Sequence, residues 1–254
     1  MKIGEGYEPG VFRLIEGCKG FGIELSCLQV EKFIRYYELL SQWNGMVNLT
    51  SVVEWDEVVT RHFLDSASVF LGAPEIGQCE KKVIDIGTGG GFPGIPLKII
   101  FPEIQLALLE PRRRKLEFVE AVIENLELSN VALLSGRAEK FGRSTVHREK
   151  YDLVVSRAVA EIAQLVELAL PFCQKDGIFV AQKGLGVSLE LTRGHKAIVE
   201  LGGEVAELVR VGNAVPSLSR AYLVVFRKVC DTPTKYPRRD GIPAKRPIGI
   251  RVSK

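Results

Sequence analysis

Val83-Ile84-Asp85-Ile86 reads as a buried strand, and it empties directly into Gly87-Thr88-Gly89-Gly90-Gly91-Phe92-Pro93-Gly94, with five glycines in eight positions. No other stretch narrows the possible folds so far. Glycine has no Cβ to hold a ligand away, so a strand ending in such a turn offers bare backbone N–H groups to a bound molecule. The dinucleotide pattern G-x-G-x-x-G requires a third glycine where this chain has Phe92. What stands instead is an acid followed by G-x-G-x-G, namely Asp85-x-Gly87-x-Gly89-x-Gly91.

From Lys82 onward, apolar patterning alternates strand and helix. Strands are expected at 82–86, 104–110, 131–135, 151–156 and 177–182, with helices at 94–101, 112–127, 160–172 and 187–201. Such β-α repetition builds a parallel sheet with helices on both faces. The ending differs. Glu204–Val211 and Arg220–Lys228 are both strand-like, and the loop between them is too short for a helix, so they should pair antiparallel. The expectation is an α/β domain with a mostly parallel seven-stranded sheet and one antiparallel strand, of the class I, Rossmann-like methyltransferase kind. Ahead of it, residues 1–72 read as a helical extension. Val11, Leu14 and Ile15 give a stripe broken by Gly17 and Gly20. A capping box of Ser26 with Gln29 opens a helix that Asn44-Gly45 should end, and Asp56 should cap a third running from Glu57 to Leu71. The domain itself would span 73–230.

Charge is divided unevenly. From Asp231 to Lys254 there are seven basic and two acidic residues, net +5, which leaves the first 230 residues at −2 in a chain of +3. Four prolines punctuate the same segment. Residues 231–254 therefore read as an extended basic arm, either a nucleic-acid tether or a merely solubilising tail. Five scattered cysteines without a C-x-x-C pair, and three histidines without ligand spacing, argue for free thiols and against a metal site. No apolar run reaches a membrane span, and the N-terminus lacks a signal-peptide core, so a cytoplasmic protein is expected. Nothing demands an oligomer; a monomer is expected.

Glu110 ends the second strand, 23 residues after Gly87, where a carboxylate can take both ribose hydroxyls of an adenosyl cofactor. Arg112-Arg113-Arg114-Lys115 follows in the first helical turn, against the helix dipole. That run is either a solvated face or a contact for RNA phosphates. Arg137-Ala138-Glu139 follows the third strand and should border the adenine. Ser156-Arg157-Ala158-Val159-Ala160 follows the fourth and should stand at the catalytic edge, with Lys183 after the fifth. The Asp/Asn-Pro-Pro-aromatic turn of exocyclic-amine methyltransferases is absent there, as is the Pro-Cys of enzymes that attack pyrimidine C5. Arg61, His62 and Asp65 share one helix face and suit either a site or a surface ion pair.

Taken together, Asp85-x-Gly87-Thr88-Gly89-x-Gly91-Phe92-Pro93-Gly94-Ile95-Pro96-Leu97, Ser156-Arg157-Ala158, Ala181-Gln182-Lys183-Gly184, and Trp43-Asn44…Asn48-Leu49-Thr50-Ser51…Arg61-His62…Asp65-Ser66 resemble the bacterial 16S rRNA guanine-N7 methyltransferases, also called glucose-inhibited division protein B. The resemblance covers about residues 30 to 227. Gly90 departs from it, since many members have proline there, and Glu110 stands where Asp is commoner. The resemblance implies transfer of methyl from S-adenosylmethionine to N7 of a guanine in the 530 loop of 16S rRNA, on the small subunit or an assembly intermediate. For the cofactor, residue reading and resemblance together select Asp85, Gly87, Gly89, Gly91, Phe92, Glu110, Pro111, Arg112, Ala138, Glu139 and Arg157. N7 methylation needs no general base, so no catalytic residue is assigned, with Arg157 and Lys183 as positioning candidates. RNA-binding candidates are Arg61, His62, Arg113, Arg114, Lys115, Lys183, Arg220, Arg238 and Arg239. Two rival readings remain: an RNA-binding protein that keeps the fold without activity, and a nucleotide-cofactor oxidoreductase.

Overall fold

The computed structural model describes residues 6–78 and 80–250, so Cys79, Arg251 and Lys254 lie outside it. Strands β1 (Lys82–Ile86), β2 (Gln105–Glu110), β3 (Val131–Ser135), β4 (Tyr151–Arg157), β5 (Cys173–Lys183), β6 (Gly203–Arg210) and β7 (Tyr222–Lys228) form one sheet, ordered β3-β2-β1-β4-β5-β7-β6. The pairs among β1 to β5 are parallel, and β7 runs antiparallel to both of its neighbours. This is the expected α/β fold. Strand order reverses between β1 and β4, which makes the C-terminal end of β1 the switch point where open α/β sheets bind ligands.

Successive side chains of a strand face opposite ways, and the two halves of the core follow that alternation. Val83, Leu106, Leu108, Leu153, Val155 and Val180 pack on one face, while Ile84, Ile86, Ala107, Leu109, Val154 and Phe179 pack on the other. The first face carries α5 (Gly94–Ile100) and α6 (Arg113–Asn125), and also the N-terminal helices α1 (Glu8–Gly20) and α2 (Cys27–Val47). The extension and the sheet therefore share one core. The second face carries the short α7 (Ala138–Phe141) with α8 (Ile162–Ala169) and α9 (Val187–Glu200).

Three local expectations are corrected. The capping box at Ser26 forms, but α2 continues through Asn44-Gly45 to Val47 and stops at Asn48, whose left-handed conformation turns the chain. Asn44 instead braces the next loop, its side chain bonding Leu49 N, Thr50 N and Thr50 O at 2.8–2.9 Å. The third helix begins two residues early, as α3 (Trp55–Val58), so Asp56 lies in its first turn and is not the cap. It then widens into a π-wound turn, Val59–Leu64, before α4 (Asp65–Ala67) and a 3-10 turn, Ser68–Leu71. A π turn upsets the spacing that placed Arg61, His62 and Asp65 on one face. Arg61 turns outward to Glu57, while His62 and Asp65 turn inward.

The largest correction concerns the tail, read as an unpacked arm. Through residue 250 it lies along the second face of the domain, carries α10 (Ile242–Lys245), and buries Tyr236 and Ile248 in that core. Arg238 grips the fully buried Glu167 with Nε and Nη2 at 2.6–3.1 Å. Arg148 donates to the carbonyls of Thr232 and Tyr236, and Lys228, itself buried, binds Glu149 and Thr232. Of the cations that mark the segment as an arm, Arg238 and Lys235 are paired with acids distant in sequence, which composition cannot reveal, while Arg239, Lys245 and Arg246 stay exposed. Removing one partner of a buried pair strands the other, so Arg238→Ala is expected to cost about 3 kcal/mol in urea unfolding. Lys235→Ala, at the exposed pair with Glu200, should lie close to wild type. Equal midpoints for the two variants would mean that the tail is not held by Glu167.

Candidate active site

The glycine turn is held by two carboxylates. Asp85 is fully buried, and its Oδ2 accepts from Thr88 Oγ1 (2.7 Å) and from Gly94 N (2.9 Å), tying the end of β1 to the start of α5. Its Oδ1 has no partner among the described residues. Glu110 Oε2 accepts from Gly89 N and Oε1 from Arg112 N, both at 3.0 Å, so β2 fastens the outer limb of the turn. The backbone reverses through left-handed conformations at Gly87 (φ +73°), Gly89 (φ +60°) and Gly91 (φ +94°), which side chains resist.

Burial pushes the Asp85 carboxyl up to about 7, against the pull of the Thr88 and Gly94 hydrogen bonds. The unfolded value is 3.8, so the native state favours the protonated form. The stability this group contributes is then fully present below about pH 4 and lost as pH rises through about 7. Asp85→Asn keeps an acceptor for Gly94 without the ionisation. The stability difference between wild type and D85N should therefore shift in the variant's favour from about pH 4 to 7 and level off above. A difference independent of pH in urea denaturation would refute this.

Behind the turn, Phe92 sits among rings. Tyr36 stacks on it at 5.2 Å between centroids, His62 lies at 4.8 Å, and the Arg157 guanidinium stands 4.9 Å over its face. Tyr36 is wholly buried, and its hydroxyl donates to the Gly90 carbonyl. The sequence reading does not single it out, although Phe33, Tyr36 and Leu40 form an i, i+3, i+7 set that is buried.

Arg157, at the end of β4, donates from Nη1 to the Arg61 carbonyl (3.1 Å) and to Asp65 Oδ2 (3.3 Å). Burial raises the Asp65 carboxyl and the Arg157 charge opposes the rise. His62 is held down to about 4, first by burial and then by Arg157. Its Nδ1 meets the Arg61 carbonyl at 2.9 Å and must carry the proton, so Nε2 accepts from Thr50 Oγ1 at 2.8 Å. His62, named as an RNA-binding candidate, stands as a neutral residue in the wall of the site. Lys183 is engaged as well, with Glu190 at 2.6 Å and the Ala160 carbonyl at 2.8 Å.

Two clefts meet at this wall. One, of about 380 Å³, is lined by Gly87, Gly89, Glu110, Arg112 and Lys115 with Phe92 behind. The other, of about 860 Å³, opens between the N-terminal helices and β5, with Gln182, Lys183, Glu190 and Arg220 along it. Thr50, His62, Arg157 and Ala158 line both. Pro111 belongs to the first cleft, whereas Asp85 and Gly91 lie beneath it. Ala138 and Glu139 are buried one strand further out, where Glu139 Oε1 accepts from Gly241 N of the tail (2.9 Å). Among the RNA candidates, Lys115 lines the first cleft and Arg61 and Arg220 the second, while Arg113, Arg114 and Arg239 are exposed outside both. Arg238 is spent on Glu167. The first cleft suits an adenosyl group through a strand-end carboxylate and a wall at Gly87 and Gly89 that has no Cβ, although the amides of Gly87, Thr88 and Gly89 are already bonded to the Leu109 carbonyl and to Glu110.

The family model GidB, rRNA small subunit methyltransferase G, matches residues 29–219. A relative named ribosomal RNA small subunit methyltransferase G from Roseiflexus castenholzii is 45% identical over 235 residues, 92% of this chain and 98% of that relative. Another of the same name, from Alkaliphilus oremlandii, is 43% identical over 92% of this chain and 97% of its own length. Among solved structures, Aeropyrum pernix fibrillarin in complex with S-adenosyl-L-methionine superposes with a TM-score of 0.51 at 16% identity, covering 66% of this chain and 75% of its own. At that identity the likeness concerns the fold alone.

Proposed function

The chain belongs to the rRNA small subunit methyltransferase G family, an S-adenosylmethionine-dependent methyltransferase family, and on that premise we propose that it methylates N7 of a guanine in the 530 loop of 16S rRNA. The observation that carries this reading is the pair of clefts sharing one wall at Thr50, His62, Arg157 and Ala158. A cofactor in the first and a base in the second would meet across that wall. S-adenosylmethionine, when bound, supplies an electrophilic methyl on a sulfonium.

The protein's part is alignment. Guanine N7 bears an in-plane lone pair and loses no proton on methylation, so no general base is needed. The wall agrees, because both His62 nitrogens are engaged and the ring stays neutral at physiological pH. Glu110 and the side-chain-free face of the turn at Gly87 and Gly89 would hold the adenosyl group; Arg157, fixed by Asp65 and the Arg61 carbonyl over Phe92, would hold the base edge or its phosphate. On this reading the protein works in the cytoplasm as a monomer, with the small subunit or an assembly intermediate as its partner. The test is tritiated methyl transfer to small subunits and to naked 16S rRNA, followed by identification of the base. Label in 7-methylguanine is the expected result. Label in another base, or cofactor binding without transfer to either RNA, would defeat the reading.

A further inference from the structure

The second cleft holds one polar group that the fold leaves unsatisfied. Gln182 lies near the end of β5, directly beside Arg157 of β4 in register, and is 4% exposed. Its Nε2 donates to the Asp65 carbonyl at 2.5 Å, which fixes the amide's orientation. Its Oε1 then has no partner among the described residues. The neighbouring groups are already matched: Asp65 with Arg157, and Lys183 with Glu190 and the Ala160 carbonyl. A buried amide oxygen without a donor is costly enough that native structures rarely keep one unless a ligand or ordered water completes it.

The geometry points to Gln182 as the residue that selects guanine, by accepting a hydrogen bond from the base's exocyclic N2 amine. This rests on the guanine-N7 reading above. Guanine carries N7 and O6, both acceptors, on one edge and the N2 amine donor on the opposite edge. The first cleft lies on one side of the Arg157–His62 wall, and Gln182 lies in the second cleft, one strand further along the sheet. A guanine that turns N7 toward the first cleft must turn its N2 amine the other way, toward β5. Adenine has no donor at that position, so it would leave Oε1 unpaired and be rejected. The amide also cannot rotate to accommodate adenine, because Asp65 holds its nitrogen.

The test uses the full-length protein and 16S rRNA assembled by ligation, with either guanosine or inosine at the methylated position. Inosine retains N7, O6 and N1–H and lacks only the N2 amine. Wild type should methylate the inosine substrate about tenfold or more less efficiently in kcat/KM. Gln182→Met, close in length and without the acceptor, should lose activity on guanosine and treat the two substrates alike, with cofactor affinity unchanged. A wild type that does not distinguish inosine from guanosine overturns the proposal, whatever the variant does. So does a variant that keeps the full preference. Failure of wild type to form 7-methylguanine on the guanosine substrate would instead defeat the reading of the reaction.

Discussion

Glu110→Ala is expected to weaken S-adenosylmethionine binding by about 100-fold or more while leaving the sheet folded. Glu110 ends β2 almost buried, at 5% exposure, and lines the first cleft. Each carboxylate oxygen accepts one backbone N–H, from Gly89 and from Arg112, and retains a further lone pair for a ligand. Two ribose hydroxyls donating to those positions would make charged hydrogen bonds worth about 1.5–3 kcal/mol each, and losing both gives the stated factor. Alanine also releases Gly89, so the turn that lines the cleft loses its brace. Glu110→Gln retains the shape and one acceptor, and should fall between the two. Isothermal titration with S-adenosylmethionine measures all three proteins. Wild-type affinity in the alanine variant would mean that the cofactor does not use the end of β2.

The sheet was legible because strands buried on both faces, such as β1, leave nearly unbroken apolar runs; the predicted limits of β1 coincide with those found, as do those of β3, although β3 is half-exposed. The glycine turn was legible for a related reason, since only backbone constraints call for so many glycines after a strand. The wall around Phe92 was less so. Arg157 and Phe92 were named, but as separate candidates; nothing local says that a guanidinium on β4 lies over a ring from the turn after β1. Pairings over long sequence distance hid the rest. Arg238 with Glu167, Gly241 with Glu139 and Gln182 with Asp65 join positions 71, 102 and 117 residues apart. The tail read as an arm because its cations were counted, while the partner of Arg238 and the core that takes Tyr236 and Ile248 lie far away in sequence. The state of His62 was not legible, because a histidine's charge depends on burial and neighbours, and a π turn decided which way it faced.

The second large effect separates adjacent glycines of the turn. Gly91→Ala should lower stability by about 3 kcal/mol and the melting temperature by roughly 6–12 °C, with activity lost alongside. Its φ of +94° is one that an L side chain resists. A Cβ there would also stand 2.6 Å from Tyr36 Oη and 2.8 Å from Ile95 Cγ1. Tyr36 cannot retreat freely, since it is fully buried against Phe63, Phe92 and Phe118 and its hydroxyl holds the Gly90 carbonyl. Gly90 differs on every count. Its φ lies outside the left-handed range, and an added Cβ meets nothing nearer than Phe92 Cε2 at 3.4 Å, an ordinary contact. Gly90→Ala should therefore leave the fold intact and raise stability by about 0.4–1 kcal/mol, because alanine loses less chain entropy on folding. Calorimetry on the two variants reads the difference directly. If both melt alike, the turn yields at Gly91, and the Tyr36–Gly90 bond is not what holds Phe92 under Arg157. If they diverge as expected, the cofactor cleft is rigid on its inner side, and the ligand meets a surface already in place.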